Sequence, residues 1–372
     1  MLMGLRSFTN QLRAWRDSMR RAVAVMLLDR ASDGSGEFEN AILFVRWDAK
    51  LGDTVVLSWV WRELKKYRPD LKLWVVTGSD YYKLFEQTFE FDKLVLSTKR
   101  PGFWSVFKVA KKLKRPRYVV HLSQVLKARD LLLLHLIQPQ HIAGLDDDLK
   151  CVDIKLRGIT EKSHFSEKPI PLLEMLSVPI DNRRYWLPEN KSAHKRVMSY
   201  WRDNLVIAFC PFGASKHRSF SNLKIVSTIS RIMAIAARKG LSVSVFLIAT
   251  ADREKGLIDL LAANGLSSDV FLKPTLELTE FFEQVRACKG VVSVDTSVVH
   301  IATGLGKPLL AIYNPPDLSP LIKTNNYDSW HPNSDQAITF LADAVAGTRI
   351  DAFDDARFDA ALEKLFLKMP AN

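Results

Sequence analysis

The stretch Val291-Val292-Ser293-Val294-Asp295-Thr296-Ser297-Val298-Val299-His300-Ile301-Ala302-Thr303-Gly304-Leu305-Gly306-Lys307-Pro308 decides the fold class of this chain. It opens as a buried strand and runs into Asp-Thr-Ser. Helical spacing follows until Gly306 and Pro308 stop it. A second apolar run, Leu309 to Tyr313, comes at once. A strand that feeds a helix leaves backbone N–H groups unpaired at the carboxyl edge of a sheet, where α/β proteins bind phosphate. Asp295 and Thr296 are placed to cap that helix, and its first amides to face an anion. His300, one turn in, either reaches the same anion or packs inside.

The same strand-then-helix rhythm extends outward in both directions. Apolar runs at 41–45, 73–76, 93–96 and 118–122 alternate with helical periods at 54–67, 81–88, 103–113 and 130–137, and 141–144 reads as extended. Charges and turns interrupt the pattern at 145–165, a helix is expected at 165–176, and 178–185 reads as a linker. Alternation restarts with strands at 205–210, 243–248 and 270–272 and helices at 223–238, 253–264 and 278–288. Repeated βα units imply parallel sheets covered by helices. The expected architecture is therefore α/β, with two Rossmann-like domains, 41–185 and 186–350, facing a central cleft that holds the ligands. Residues 1–40 form a basic amphipathic extension, and 351–372 a closing helix.

With 372 residues, 47% hydrophobic and 25% charged, the chain can build a core in each half. No uncharged apolar stretch of about 18 residues exists, so no membrane span is expected. Cys151, Cys210 and Cys288 are far apart and sit in strand-like or helix-like runs, which suits buried thiols in a reducing compartment rather than a zinc framework. The eight histidines show no metal-ligand spacing. Asp146, Asp147 and Asp148 read as a solvated loop. No metal and no cofactor is expected.

The net charge of +12 calls for an acidic partner. Residues 1–30 hold six arginines against Asp17 and Asp29, and residues 99–117 hold eight Lys/Arg and no acid. Neither cluster carries a nucleic-acid-binding signature, so no nucleic acid is expected, and an anionic membrane surface or glycolipid takes its place. Leu5, Phe8, Leu12, Trp15 and Met19 recur at helical spacing among the arginines, as in an interfacial amphipathic helix. A helix packed on the body is the other reading. A secretory signal does not fit, because Asp29 and Arg30 close the apolar run and no small-residue cleavage site follows.

Three further loops follow strands. In the first, Leu51-Gly52-Asp53 leads into a helix, and Asp53 is either its N-cap or a general base. Asp48 could share either role. In the second, a Gly/Ser loop carries Lys216, His217 and Arg218, which either hold a diphosphate or form a solvated basic loop. It lacks the Walker spacing. In the third, Asp252 and Glu254 either accept from ribose hydroxyls or serve the helix start.

Taken in order, these segments resemble glycosyltransferase family 9, the ADP-heptose:lipopolysaccharide heptosyltransferases of GT-B fold, over residues 41–345. The family's Gly-Asp is Gly52-Asp53. Its Pro-Gly-Ala-like loop and Lys-x-Trp-Pro element correspond to Pro211-Phe212-Gly213-Ala214 and Arg218-Ser219-Phe220-Ser221. Its Asp-Thr-Gly-x-x-His signature is matched by Asp295 to His300, and its Ala-x-x-x-Gly-x-Pro by Ala302 to Pro308. His164-Phe165-Ser166-Glu167-Lys168 and Leu172 to Pro179 look like its helix before the linker. Ser297 replaces the usual Gly, Arg218 the usual Lys, and Phe220-Ser221 the usual Trp-Pro.

The resemblance implies inverting transfer of a sugar, heptose from ADP-heptose in most of the family, to the lipopolysaccharide core or a related glycolipid. It implies an acceptor domain over 41–185, a donor domain over 186–350, and Asp53 as the catalytic base. Donor binding falls to Lys216, Arg218, Asp252, Glu254, Asp295, Thr296, Ser297 and His300. Such an enzyme works in the cytoplasm, peripherally on the inner face of the bacterial inner membrane. A family member using another sugar, a non-catalytic sugar-nucleotide-binding protein on the same scaffold, and a basic membrane-surface or nucleic-acid adaptor are the alternatives.

Overall fold

The computed structural model describes the chain except residues 1, 33, 48–49, 202–204, 274–276, 316–325, 344–348 and 371–372, and gives only the backbone of residues 2–10, 80 and 326. Asp48 therefore lies outside the described residues, as do the side chains of Leu5 and Phe8. The chain divides into two compact units, one of Met1–Ala49 with Trp59–Arg183, the other of Lys50–Ser58 with Arg184–Asn372.

Along the chain come α1 (Leu2–Leu28), β1 (Glu39–Arg46), α2 (Leu51–Tyr67), β2 (Lys72–Thr77), β3 (Lys93–Leu96), α3 (Phe103–Ala110), β4 (Pro116–His121), α4 (Ala128–Ile137), β5 (His141–Gly144), β6 (Ile154–Lys155) and α5 (Ile170–Met175). There follow α6 (Lys191–Trp201), β7 (Leu205–Cys210), α7 (Asn222–Arg238), β8 (Val243–Leu247), α8 (Ala251–Ala263), β9 (Val270–Phe271), α9 (Leu278–Ala287), β10 (Gly290–Val294), α10 (Ser297–Gly304), β11 (Leu309–Tyr313), α11 (Asn326–Trp330), β12 (Ala337–Leu341) and α12 (Asp355–Lys368).

Each unit holds one six-stranded sheet, ordered β3-β2-β1-β4-β5-β6 and β12-β11-β10-β7-β8-β9. All pairings are parallel. Numbered from its own first strand, each sheet runs 3-2-1-4-5-6, the doubly wound Rossmann order. The α/β class and the two Rossmann-like domains of the GT-B reading thus hold. The central strands explain why: β7, β10 and β11 are buried at every residue, as strands covered on both faces must be. In the first unit Trp61 packs against Phe44, Phe85, Phe89 and Phe91 at ring-centroid distances of 5.9, 5.2, 4.8 and 5.3 Å. In the second, Phe358, Leu362, Leu365 and Phe366 of α12 join the core of β7, β10 and β11.

Several local features differ from the sequence expectation. The helix expected at 81–88 is a 3-10 turn, Ser79–Tyr81, followed by a wide turn, Leu84–Thr88. The helix expected at 165–176 breaks at Pro169 into a 3-10 turn, Phe165–Glu167, and α5. Proline lacks the N–H that would continue the ladder. The acidic loop is not wholly solvated: Asp146 is buried. Its carboxylate accepts from the Leu126 N–H at 2.7 Å and from Arg21 at 3.0 Å. Asp147 accepts from the N–H groups of Arg157 and Gly158, leaving Asp148 as the exposed member. A carboxylate is buried only when such partners replace its water.

Arg21 also fixes α1. Its guanidinium donates to Leu126 O and Asp146, while Ala24, Val25 and Leu28 pack on the first unit's core. Asp29 ends the helix by accepting from the N–H groups of Lys150 and Cys151. All three cysteines are buried and free. Burial, with Asp29 beside it, pushes the Cys151 thiol up to about 12.

Candidate active site

In an open parallel sheet, ligands lie outside the carboxyl ends of the strands where the strand order reverses. In the second unit that point falls between β7 and β10, which pair directly. The loop after β7 is Pro211–Phe220, and the junction after β10 is Asp295-Thr296. Both were singled out in the sequence, and the topology brings them side by side.

The β7 loop folds back on itself. Phe212 pairs with Ser219 as an antiparallel bridge, and the Ser219 hydroxyl accepts from Gly213 N at 3.1 Å and donates to Ser215 O at 2.9 Å. A side chain at position 213 would put its Cβ 2.6 Å from Arg218 Cβ, so the hairpin closes only on glycine. It delivers Arg218, whose guanidinium lies 2.7 Å from the Asp295 carboxylate. Lys216 and His217 remain exposed.

Thr296 is the N-cap of α10. Its Oγ1 accepts from Val298 N at 3.2 Å and meets the Ser293 hydroxyl at 3.2 Å. Of the two capping candidates, then, Thr296 caps, and Asp295 is engaged by Arg218. Ser297 opens the helix and is absent from the non-glycine residues with positive φ, which among the described residues are Glu90, Gln138 and Ser177. Serine in place of glycine therefore costs no backbone strain. His300 is buried, with its ring 5.8 Å from that of Trp330.

Residues 50–58, which belong to this second unit, bring in the remaining carboxylate. A Cβ on Gly52 would lie 3.0 Å from His300 Cδ2 and 3.6 Å from Ser297 Cα, so the Gly52 backbone rests on the first turn of α10. Asp53 is the next residue and is half-buried. Because α2 begins at Leu51, Asp53 is the third residue of the helix, a first-turn carboxylate that favours the helix dipole, and not its N-cap. Asp252 and Glu254 occupy the first turn of α8, whose N-cap is Thr250. A hydrogen bond with Thr250 holds Asp252 below the usual carboxylate range. Arg253 stacks on Phe212, 4.3 Å from the ring centre, which ties this turn to the β7 loop.

Residues 190–339, which contain the β7 loop, the start of α8 and the β10–α10 junction, match the family model described as Glycosyltransferase family 9 (heptosyltransferase). The second unit carries a family 9 glycosyltransferase domain. The chain is 24% identical over 323 residues, 83% of each chain, to a protein of Escherichia coli K12 named "Putative lipopolysaccharide heptosyltransferase 4". Its fold is similar to that of a family 9 glycosyl transferase from Veillonella parvula, with a TM-score of 0.67, 14% identity and coverage of 90% of this chain and 99% of the other. It is likewise similar to E. coli ADP-heptose lps heptosyltransferase II, with a TM-score of 0.67, 16% identity and coverage of 88% and 98%. The chain is a glycosyltransferase, similar to heptosyltransferases in its matched segment and in its fold.

The departures of this glycosyltransferase from its family pattern have structural explanations. Phe220 is buried against Phe209 and Phe353, with centroids 5.8 Å away in both pairs. Ser221 anchors the start of α7 by donating its N–H and hydroxyl to Asp351 at 2.7 and 2.6 Å. The Phe220-Ser221 replacement is thus a packing unit behind the loop. In the first unit, His164 is buried and its ring accepts from Ser166 N, while buried Lys168 donates to Thr160 O. One feature was signalled in the sequence only by the basic cluster at 99–117. A cavity of about 610 Å³ opens beyond β1, β2 and β3, lined by Trp47, Ser79, Ser97, Thr98, Lys99, Lys108 and Lys112 among others. Its hydroxyls and lysines come from three separate segments, so only the folded sheet edge assembles them.

Proposed function

We propose that this glycosyltransferase moves heptose, with inversion, from ADP-heptose to the lipopolysaccharide core or a related glycolipid. The observation that carries this reading is the Arg218–Asp295 pair beside the Thr296-capped start of α10, at the switch point of the sheet and inside the family-matched segment. The named activities of the E. coli relatives supply the choice of sugar and acceptor pathway.

The chemistry follows from the residues. The leaving group is a nucleoside diphosphate whose charge grows as the glycosidic bond breaks. Arg218, Lys216 and the opening amides of α10 at Ser297 supply fixed donors and positive potential to it. Asp295 orients the Arg218 guanidinium, Thr296 fixes the helix start, and buried His300 holds the wall on which Gly52 rests. Asp53 takes the proton from the acceptor hydroxyl as that oxygen attacks the oxocarbenium-like carbon from the face opposite the leaving group. One carboxylate base suffices for inversion, as in inverting glycosidases. Asp252 and Glu254 receive ribose hydroxyls. The acceptor domain is the Rossmann-like domain of residues 41–185, apart from residues 50–58, which cluster with the second unit; its lysine-lined cavity suits a phosphorylated glycolipid. The enzyme works on the cytoplasmic face of the inner membrane. Among the described residues no helix is long and apolar enough to cross a membrane.

The test is mass spectrometry of lipopolysaccharide from a strain lacking this chain, with transfer from ADP-heptose by the purified protein. The expected outcome is a core short by one heptose, restored in vitro. An unchanged core, or a truncation at another sugar, would overturn the heptose assignment.

A further inference from the structure

The mechanism uses neither α1 nor the start of α3. A cavity of about 820 Å³ lies between them, lined by Arg13, Arg16, Arg20, Arg100, Lys127 and Arg129, with Asp17 as the one acid on its wall. Asp17 is engaged by Arg16 at 3.2 Å. Two helices also begin at this wall: Gly102 is the N-cap of α3 and Lys127 that of α4. Gly102 gives α3 no side-chain cap, so its positive dipole end adds to the six cations, whereas the start of α4 is closed by Asp130, which accepts from the Lys127 N–H at 2.7 Å. Such a site is complementary to a phosphate-bearing group.

The same helices present apolar surface around that cavity. On α1, the residues that dock on the body, Arg21, Ala24, Val25 and Leu28, lie on one face at helical spacing. Leu12, Trp15, Met19, Val23 and Met26 share the opposite face and are exposed, Trp15 by 65% and Met26 by 76%. The row Arg13, Arg16, Arg20 runs between the two faces. On α3, Phe103 and Trp104 are exposed, Trp104 by 83%, and Phe103 lines the cationic cavity itself. An apolar stripe, a bordering row of arginines and aromatic side chains are what an interfacial helix needs. A cationic cavity at their border is what a lipid headgroup needs.

We propose that α1 and the start of α3 dock on an anionic bilayer, with a phosphate-bearing lipid headgroup seated among Arg13, Arg16, Arg20, Arg100, Lys127 and Arg129. The cavity belongs wholly to the first unit and is separate from the Arg218–Asp295 site. The docking gives a surface to the inner-membrane location proposed above, and rests on that location but not on the sugar.

The test is co-sedimentation of the full-length chain with phosphatidylglycerol or phosphatidylcholine vesicles, with nucleoside-diphosphate affinity measured in parallel. Binding to phosphatidylglycerol is expected to exceed that to phosphatidylcholine by at least about tenfold. Arg13→Gln/Arg16→Gln/Arg20→Gln is expected to weaken it by roughly 100-fold, from three charges at the membrane surface. Trp15→Ser/Met19→Ser is expected to weaken it about tenfold. All these positions are exposed or line the cavity, so folding and nucleotide affinity stay unchanged. Equal binding to both vesicles, or binding insensitive to both variants, overturns the proposal. So does a dimer in ultracentrifugation that Trp15→Ser/Met19→Ser dissociates, since the apolar stripe would then be covered by a second copy. Vesicle binding without nucleotide binding would keep the docking and remove the donor site.

Discussion

At the scale of single residues, the proposed chemistry divides between Asp53 and the Arg218–Asp295 pair. A general base contributes roughly 10²–10⁴ in rate, so Asp53→Asn is expected to lower kcat by that factor while changing nucleoside-diphosphate affinity less than about twofold. Steady-state kinetics with calorimetry checks this, and turnover within tenfold of the parent would remove Asp53 from the base role. Arg218 and Asp295 act as a unit, because the carboxylate holds the guanidinium at 2.7 Å. Arg218→Gln and Asp295→Asn should each weaken diphosphate binding, and the double variant should lose little more than the worse single one. Additive losses would mean that the two residues serve separate ends. The chain itself announced the residue types but not this pairing. Asp295 stands directly before a helix, so local sequence offers it as a cap. Its actual partner lies 77 positions away, and only the adjacency of β7 and β10 makes them neighbours. Asp53 was ambiguous for the opposite reason: moving a helix start by two residues decides whether it stands at the N-cap or inside the first turn, and boundaries are the least defined part of a helical pattern.

At the scale of elements, the β7 loop is the part most dependent on one residue. Gly213→Ala would force the hairpin open, since the added Cβ meets Arg218 at 2.6 Å. The shift carries the guanidinium away from Asp295. Affinity for the nucleoside diphosphate should drop at least tenfold, with a melting midpoint only a few degrees lower because the loop is at the surface. A variant that binds normally would show that the loop does not position the donor. The elements that were legible are those with an unbroken apolar run, such as β7, β10 and β11, because burial on both faces leaves no other composition. β12 escaped notice because much of it is only partly covered. The segment at 81–88 misled because its apolar spacing fits a helix, whereas Phe89 N bonds Leu84 O, five residues back, at 3.2 Å.

At the scale of the whole molecule, each unit has its own sheet and its own buried core, so a ligand held by one should mark that one alone. Nucleoside diphosphate at about 100 times its Kd stabilises the state that binds it by about 2.7 kcal/mol. Amide exchange is therefore expected to slow in the loops at 211–219, 250–254 and 295–300, together with 50–58, which cluster with the second unit. The cationic wall of α1 and α3 should show no change. Protection of 50–58 is the discriminating part, because those residues precede the family-matched segment by more than a hundred positions and carry the proposed base. If they stay unprotected while 295–300 respond, Gly52 does not rest on α10 in the liganded protein, and Asp53 has no physical route to the reacting centre through the donor unit.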